Sequence, residues 1–232
     1  MKENKMKTDG LIQNNVIKEL KWEPSVDASK IGVVVRDGVV TLNGSVDTYT
    51  EKLAAERAAG RVIGVKAIAE EIKVRLPQSY ERDDADIAEA VSNALEWNVK
   101  VPHDRIKVKV QDGMVILSGE VERGYQRDAA HDAVCCLIGV KGVTNQMTVS
   151  PPVSHAGIKS SIKSALKRLS AIDARDLIVE TAGSKVILSG SVHSWTDKQE
   201  AGSAAWAAPG VSEVENNIVV LPASEIHGEP AE

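Results

Sequence analysis

One strand-and-turn motif occurs three times in this chain, and that repetition limits what the chain can fold into more than any other feature. Val39 to Val46 reads VVTLNGSV, Met114 to Val121 reads MVILSGEV, and Lys185 to Val192 reads KVILSGSV. In each, an apolar pair two residues apart (Val40/Leu42, Val115/Leu117, Val186/Leu188) precedes a polar residue, a glycine and a terminal valine. A period of two marks a strand with one buried face. The glycines Gly44, Gly119 and Gly190 recur about every 70–75 residues, with similarity on both sides, so the chain is three copies of one small unit. A unit of roughly 70 residues buries only about 60% of its unfolded surface and is marginal alone. Contact between units is therefore expected.

Each copy repeats the same order of signals. An amphipathic helix comes first, with Leu11, Ile12, Val16 and Leu20 on one face, matched by Ile87, Val91 and Leu95 and by Ile158, Ile162 and Leu166. Pro24 and Pro102 stop the first two helices. A strand follows, clearest in the alternation Ile106-Lys107-Val108-Lys109-Val110. Asp37-Gly38, Asp112-Gly113 and Gly183-Ser184 then supply two-residue hairpin turns into the motif strand. Past the motif, Thr48-Tyr49-Thr50-Glu51 and Ser194-Trp195-Thr196-Asp197 have the form of capping boxes that open a second helix. Its inner side is small: Ala55, Ala58 and Ala59 align with Ala130, Ala133 and Val134, then Ala201, Ala204 and Ala205. A second set of glycines, Gly64, Gly139 and Gly210, ends that helix, and a third strand closes the unit.

The fold class is therefore α+β: three tandem α-β-β-α-β units, each a three-stranded mixed sheet with two helices on one face. The helix between the second and third strands makes them parallel with a right-handed crossover. The expected boundaries are a disordered lead at 1–8, units at 9–76, 84–150 and 154–222, and a disordered tail at 223–232. The glycines at 44, 119 and 190 are expected to turn the chain toward the second helix.

With this element order, the D-G turn, the L-x-G-x-V strand end and the G-V-x-x-V start of the last strand, the unit resembles the BON domain. Unit three departs from the pattern with Gly183-Ser184 at its turn, and unit one with Ala67 where unit two has Gly142. The resemblance implies a binding module without known catalysis, attaching to phospholipid membranes or partner proteins in stress-related settings. It also implies a periplasmic relative, whereas the sequence as written starts MKENKMKTDGLIQNN with no apolar run after the lysines and reads as cytoplasmic. No stretch approaches the ~18 apolar residues of a membrane span.

Chemistry is sparse. There is no HExxH, CxxC, P-loop or GxSxG, so no catalytic residue, cofactor or metal site is expected. His131 lies one turn before Cys135, which with Cys136 makes up all the cysteine of the chain; the pair reads as small buried thiols rather than ligands. Glu70-Glu71 aligns with Asn145-Gln146 and Asn216-Asn217, which points to a polar strand face rather than paired acids. A net charge of −5 argues against nucleic acid. The partners this leaves are an anionic phospholipid surface or a protein.

The basic candidates are Lys159, Lys163 and Lys167 at every fourth position of the first helix of unit three, with Arg168 beside them; Lys107 and Lys109 form a second, smaller patch. Unit two carries Asp84, Asp86, Glu89 and Glu96 on the helix where unit three has lysine. Trp22 and Trp97 occupy equivalent helix ends and read as closing the edges of small cores, with a membrane-interface anchor as the alternative. Trp195 and Trp206 are peculiar to unit three, and Trp206 stands where the other units have Gly60 and Cys135; a unit–unit contact or a ligand-facing surface would account for it. Val34, Val39, Ile116, Ile178 and Ile187 point away from the helices, and self-association through these bare sheet faces is the alternative to lipid.

Overall fold

Each of the three motif strands becomes the centre of its own sheet. The computed structural model describes residues 2–151, 158–166, 168 and 177–221, with side chains from residue 8 onward. Unit one comprises α1 (Lys2–Trp22), β1 (Ile31–Arg36), β2 (Val39–Val46), α2 (Tyr49–Gly60) and β3 (Ala67–Val74). Unit two comprises α3 (Asp84–Glu96), β4 (Ile106–Gln111), β5 (Met114–Val121), α4 (Gly124–Cys135) and a third strand in two pieces, β6 (Gly142–Asn145) and β7 (Thr148–Val149). Unit three comprises α5 (Ile158–Leu166), β8 (Leu177–Ala182), β9 (Lys185–Val192), α6 (Trp195–Trp206) and β10 (Glu213–Val220). The middle strand of each sheet pairs antiparallel with the strand before it and parallel with the strand after it.

The apolar pattern explains the packing. Val40, Leu42 and Val46 are buried under Ile12, Val16 and Leu20 of α1 and under Ala55, Ala58 and Ala59 of α2. Alanine on α2 lets that helix lie close to the sheet, and truncating a leucine such as Leu42 would cost about 2–5 kcal/mol. The hairpin turns are pinned from the first helix. Asp9 accepts the N–H groups of Asp37 and Gly38 at 2.9 and 3.0 Å, and Asp84 accepts those of Asp112 and Gly113 at 2.8 and 2.9 Å. His155 stands at the matching position of unit three, outside the described residues.

Two expectations change. The segment read as a disordered lead is helical, since α1 starts at Lys2; it lacks an apolar period but contains nothing that would break a helix before Gly10. Gly44, Gly119 and Gly190 do not turn the chain. They lie within continuous strands at φ of 131°, 135° and 122°. A Cβ at Gly44 would run into the carbonyl oxygen of Lys30, and one at Gly119 into that of Arg105, so these glycines admit the close approach of the preceding 3₁₀ turn. Gly64, Gly139 and Gly210 follow the second helices at φ of 87°, 94° and 88°, the left-handed region favoured by glycine.

The units meet through their second helices. Tyr49, the first residue of α2, is buried in the core of unit two, hydrogen-bonded to the backbone of Val143 and close to Cys135, the last residue of α4. Gly124, the first residue of α4, lies under Trp206, the last of α6; a Cβ there would sit 2.9 Å from the Trp206 carbonyl oxygen. Trp195, the first residue of α6, lies over Gly60, the last of α2, at 3.1 Å from where a Cβ would be. Three equivalent contacts thus close a ring, one to two, two to three and three to one, with an approximate threefold axis. At each joint a large side chain meets a smaller one: Tyr49 on Cys135, Trp206 on Gly124, Trp195 on Gly60. The last joint gains a hydrogen bond from Gly64 N–H to the His193 carbonyl at 3.0 Å.

Candidate functional site

Ring closure brings α2, α4 and α6 around a shared cavity of about 640 Å³. Its walls carry Glu56 and Arg57 from unit one, His131, Asp132, Cys135 and Cys136 from unit two, and Glu200 from unit three. Three carboxylates therefore face one guanidinium. Burial pushes the Glu56 carboxyl above its usual value, and Glu70 adds to this, while Lys52 and Arg57 pull it down. The Cys135 thiol is pushed up to about 12, first by burial and then by its hydrogen bond to Cys136.

The two cysteines differ from the sequence reading of buried thiols. Cys136 is exposed and Cys135 only half-buried, because α4 ends at the cavity rather than under the sheet. Their sulfurs lie 3.5 Å apart, and Cys135 Sγ–H also donates to the Asp132 carbonyl at 3.4 Å. The His131 ring nitrogen Nδ1 is 3.5 Å from an Asp132 carboxylate oxygen. His131, Asp132 and Cys135 each offer a donor atom within 4.8 Å of the others.

Glu70 forms an ion pair with Lys52 at 3.0 Å, and Asn145 and Asn216 tie the same strand position to the second helix by donating to the carbonyls of Arg127 and Lys198 at 2.9 and 2.8 Å. The chemistry differs between copies, but the tie is the same. Glu71 is exposed.

A second region lies at the far ends of the first helices. Trp22 is 83% exposed and Trp97 is 88% exposed, so neither closes a core. Each stands two residues past the last buried leucine of its helix, Leu20 or Leu95. Val99, beside Trp97, is 99% exposed. Arg168 holds the matching position of unit three and is also exposed. The three positions are equivalent in the three units. Lys159 and Lys163 are exposed on α5, opposite buried Ile158, Ile162 and Leu166, and the Lys167 side chain lies outside the described residues. Lys107 and Lys109 are exposed on β4, on the outer sheet face.

The outer sheet faces are not covered by neighbouring units, since the joints use helices. Val34 and Ile178 are 48% and 56% exposed, whereas Ile116 and Ile187, on central strands, are half-buried by their neighbours. What sequence reasoning missed was the pairing of helix ends across joints. Its signal was present in the alternation of size at two positions: Tyr49, Gly124 and Trp195 at one helix end, and Gly60, Cys135 and Trp206 at the other.

The BON domain family matches residues 8–75, 83–151 and 154–222. The chain is a BON-domain protein. Its BON units are also similar to osmotically-inducible protein Y of Escherichia coli, at 30% identity over 144 residues, covering 60% of this chain and 71% of that one. Outer membrane lipoprotein DolP of Haemophilus influenzae is 29% identical over 146 residues, covering 60% of this chain and 74% of that one. Both matches have the length of two units. Among solved structures, CdsD, a structural protein of the type III secretion system of Chlamydia trachomatis, aligns at 14% identity over 94% of this chain and 98% of that one, with a TM-score of 0.27; so loose a superposition carries no argument. No helix among the described residues is long and apolar enough to cross a membrane.

Proposed function

We propose that this BON-domain protein is a non-enzymatic peripheral binding protein of the cell envelope that docks on anionic phospholipid through one rim of its ring. The observation that carries the reading is the pair Trp22 and Trp97, almost fully exposed at equivalent helix ends. An indole at a membrane interface keeps its ring among the headgroups while its N–H stays hydrated. Arg168 completes the rim, and Lys159 and Lys163 continue it along α5, with Lys167 next in the sequence stripe. Each basic residue near an anionic surface contributes about 1 kcal/mol, so the attachment is weak and sensitive to salt. Similarity to an osmotically inducible protein and to an outer membrane lipoprotein supports an envelope or stress setting.

Flotation with phosphatidylglycerol-containing vesicles tests this reading. Binding is expected at low salt, with loss at high salt, in Trp22→Ala/Trp97→Ala, and in Lys159→Glu/Lys163→Glu/Lys167→Glu. A folded wild-type chain that never floats with such vesicles overturns it. The exposed Val34, Val39 and Ile178 favour a second reading, a scaffold that self-associates through its outer sheet faces. Concentration-dependent light scattering abolished by Val34→Lys and Ile178→Lys, without vesicle binding, would support that one.

A further inference from the structure

We propose that the end of α4 is a binding site for a thiophilic divalent metal ion of the zinc class, with His131, Asp132, Cys135 and Cys136 as its donors. Both cysteines of the chain and one of its five histidines converge on the last turn and a half of this helix. The spacing of His131 and Cys135, i to i+4, sets both side chains on one helix face. All four residues line the central cavity, so their donor atoms open into one space with walls from all three units. That space suits a cation, since Glu56, Asp132 and Glu200 outnumber Arg57 on its walls.

The donor chemistry selects the metal. Two sulfurs, an imidazole nitrogen and a carboxylate oxygen are the ligand types of tetrahedral zinc, whereas magnesium and calcium take oxygen. Zinc bonds of about 2.0–2.3 Å set donors roughly 3.6 Å apart around the ion. The two sulfurs stand 3.5 Å apart, and the donor atoms of His131, Asp132 and Cys135 lie within 4.8 Å of one another, so Cys135 joins Cys136 to the other two donors. Binding breaks the contact from Cys135 Sγ–H to the Asp132 carbonyl and releases both thiol protons to solvent as the two thiolates bind the ion. Cys136 is exposed at the cap of the helix, with its sulfur already beside that of Cys135.

The site is absent from the other units. Glu56 and Gly202 replace His131, and Gly60 and Trp206 replace Cys135. It is therefore a property of one joint, the same one that Tyr49 enters from unit one.

The test uses the full chain, reduced and stripped of metal, titrated with cobalt(II) as a spectroscopic probe and then with zinc. Expected are one cobalt per chain, ligand-field bands of a tetrahedral ion, thiolate-to-metal charge transfer, and displacement of cobalt by zinc. Cys135→Ser/Cys136→Ser should abolish the charge-transfer band, and His131→Ala should weaken affinity at least about tenfold. His131 is half-buried at the cavity wall and belongs to none of the three apolar cores, so that variant stays informative if the double serine variant misfolds. Absence of charge transfer in the reduced folded chain overturns the proposal, as does uptake unchanged in His131→Ala.

Discussion

Two of the four tryptophans hold the molecule together and two stand in solvent, although all four sit at helix ends. Trp195 and Trp206 bracket α6 and reach into neighbouring units, one over Gly60 and the other over Gly124. Arg127 of unit two adds a cation–π contact, 4.3 Å above the Trp206 ring. Trp22 ends α1 and Trp97 caps α3, and both stand in solvent. The residue type does not decide the outcome; a neighbour that offers glycine does. The inner pair belongs to the fold, and the outer pair is left for a partner.

The largest effect should come from emptying a joint. Trp206→Ala and Trp195→Ala are each expected to cost about 3 kcal/mol in urea denaturation, near the low end for a buried aromatic because both rings keep some exposure. Filling the opposite side is next: Gly124→Val should cost about 2 kcal/mol by driving a side chain into Trp206. If the size pairing is what matters, Gly124→Trp combined with Trp206→Gly should recover part of the sum of the two single losses, and strict additivity would break the comparison.

A smaller change is expected at the cavity. The Glu56 carboxyl is raised in the folded state, so its protonated form is favoured there and the associated stability is lost as pH climbs from the ordinary value of 4.5 through the raised one. Glu56→Gln should unfold later than wild type at neutral pH, with the advantage vanishing below pH 4.5; an equal advantage at all pH values would refute the burial of that charge. Least affected should be Trp22→Ala and Trp97→Ala, within about 0.5 kcal/mol of wild type in stability, while vesicle binding falls.

The interior of each unit was legible because burial imposes period. Val40 and Leu42 alternate as a strand must, and Ile12, Val16 and Leu20 recur as a helix face must, in any copy. The joints carry no period. Trp206 was visibly odd beside Gly60 and Cys135, but a single residue at a helix end does not reveal which unit it faces. Only the closed ring identifies its partner as Gly124. The cysteines were misjudged for the same reason: Cys135 looks like its alanine-rich neighbours, yet its turn of helix faces a cavity that exists only once three units assemble. Trp22 and Trp97 mislead in the other direction, since small cores often end in an aromatic and these two cores end two residues earlier, at Leu20 and Leu95.

The three unequal joints also amount to an address system. Reversing the cyclic order of the units would set Gly124 against Gly60, leaving a void, and Tyr49 against Trp206, forcing a collision, while only Trp195 on Cys135 came near a fit. Opening the chain between two units and rejoining its ends would preserve every joint. The order around the circle is thus encoded in six residues, two of them glycines, and the covalent linkers are not needed to specify it.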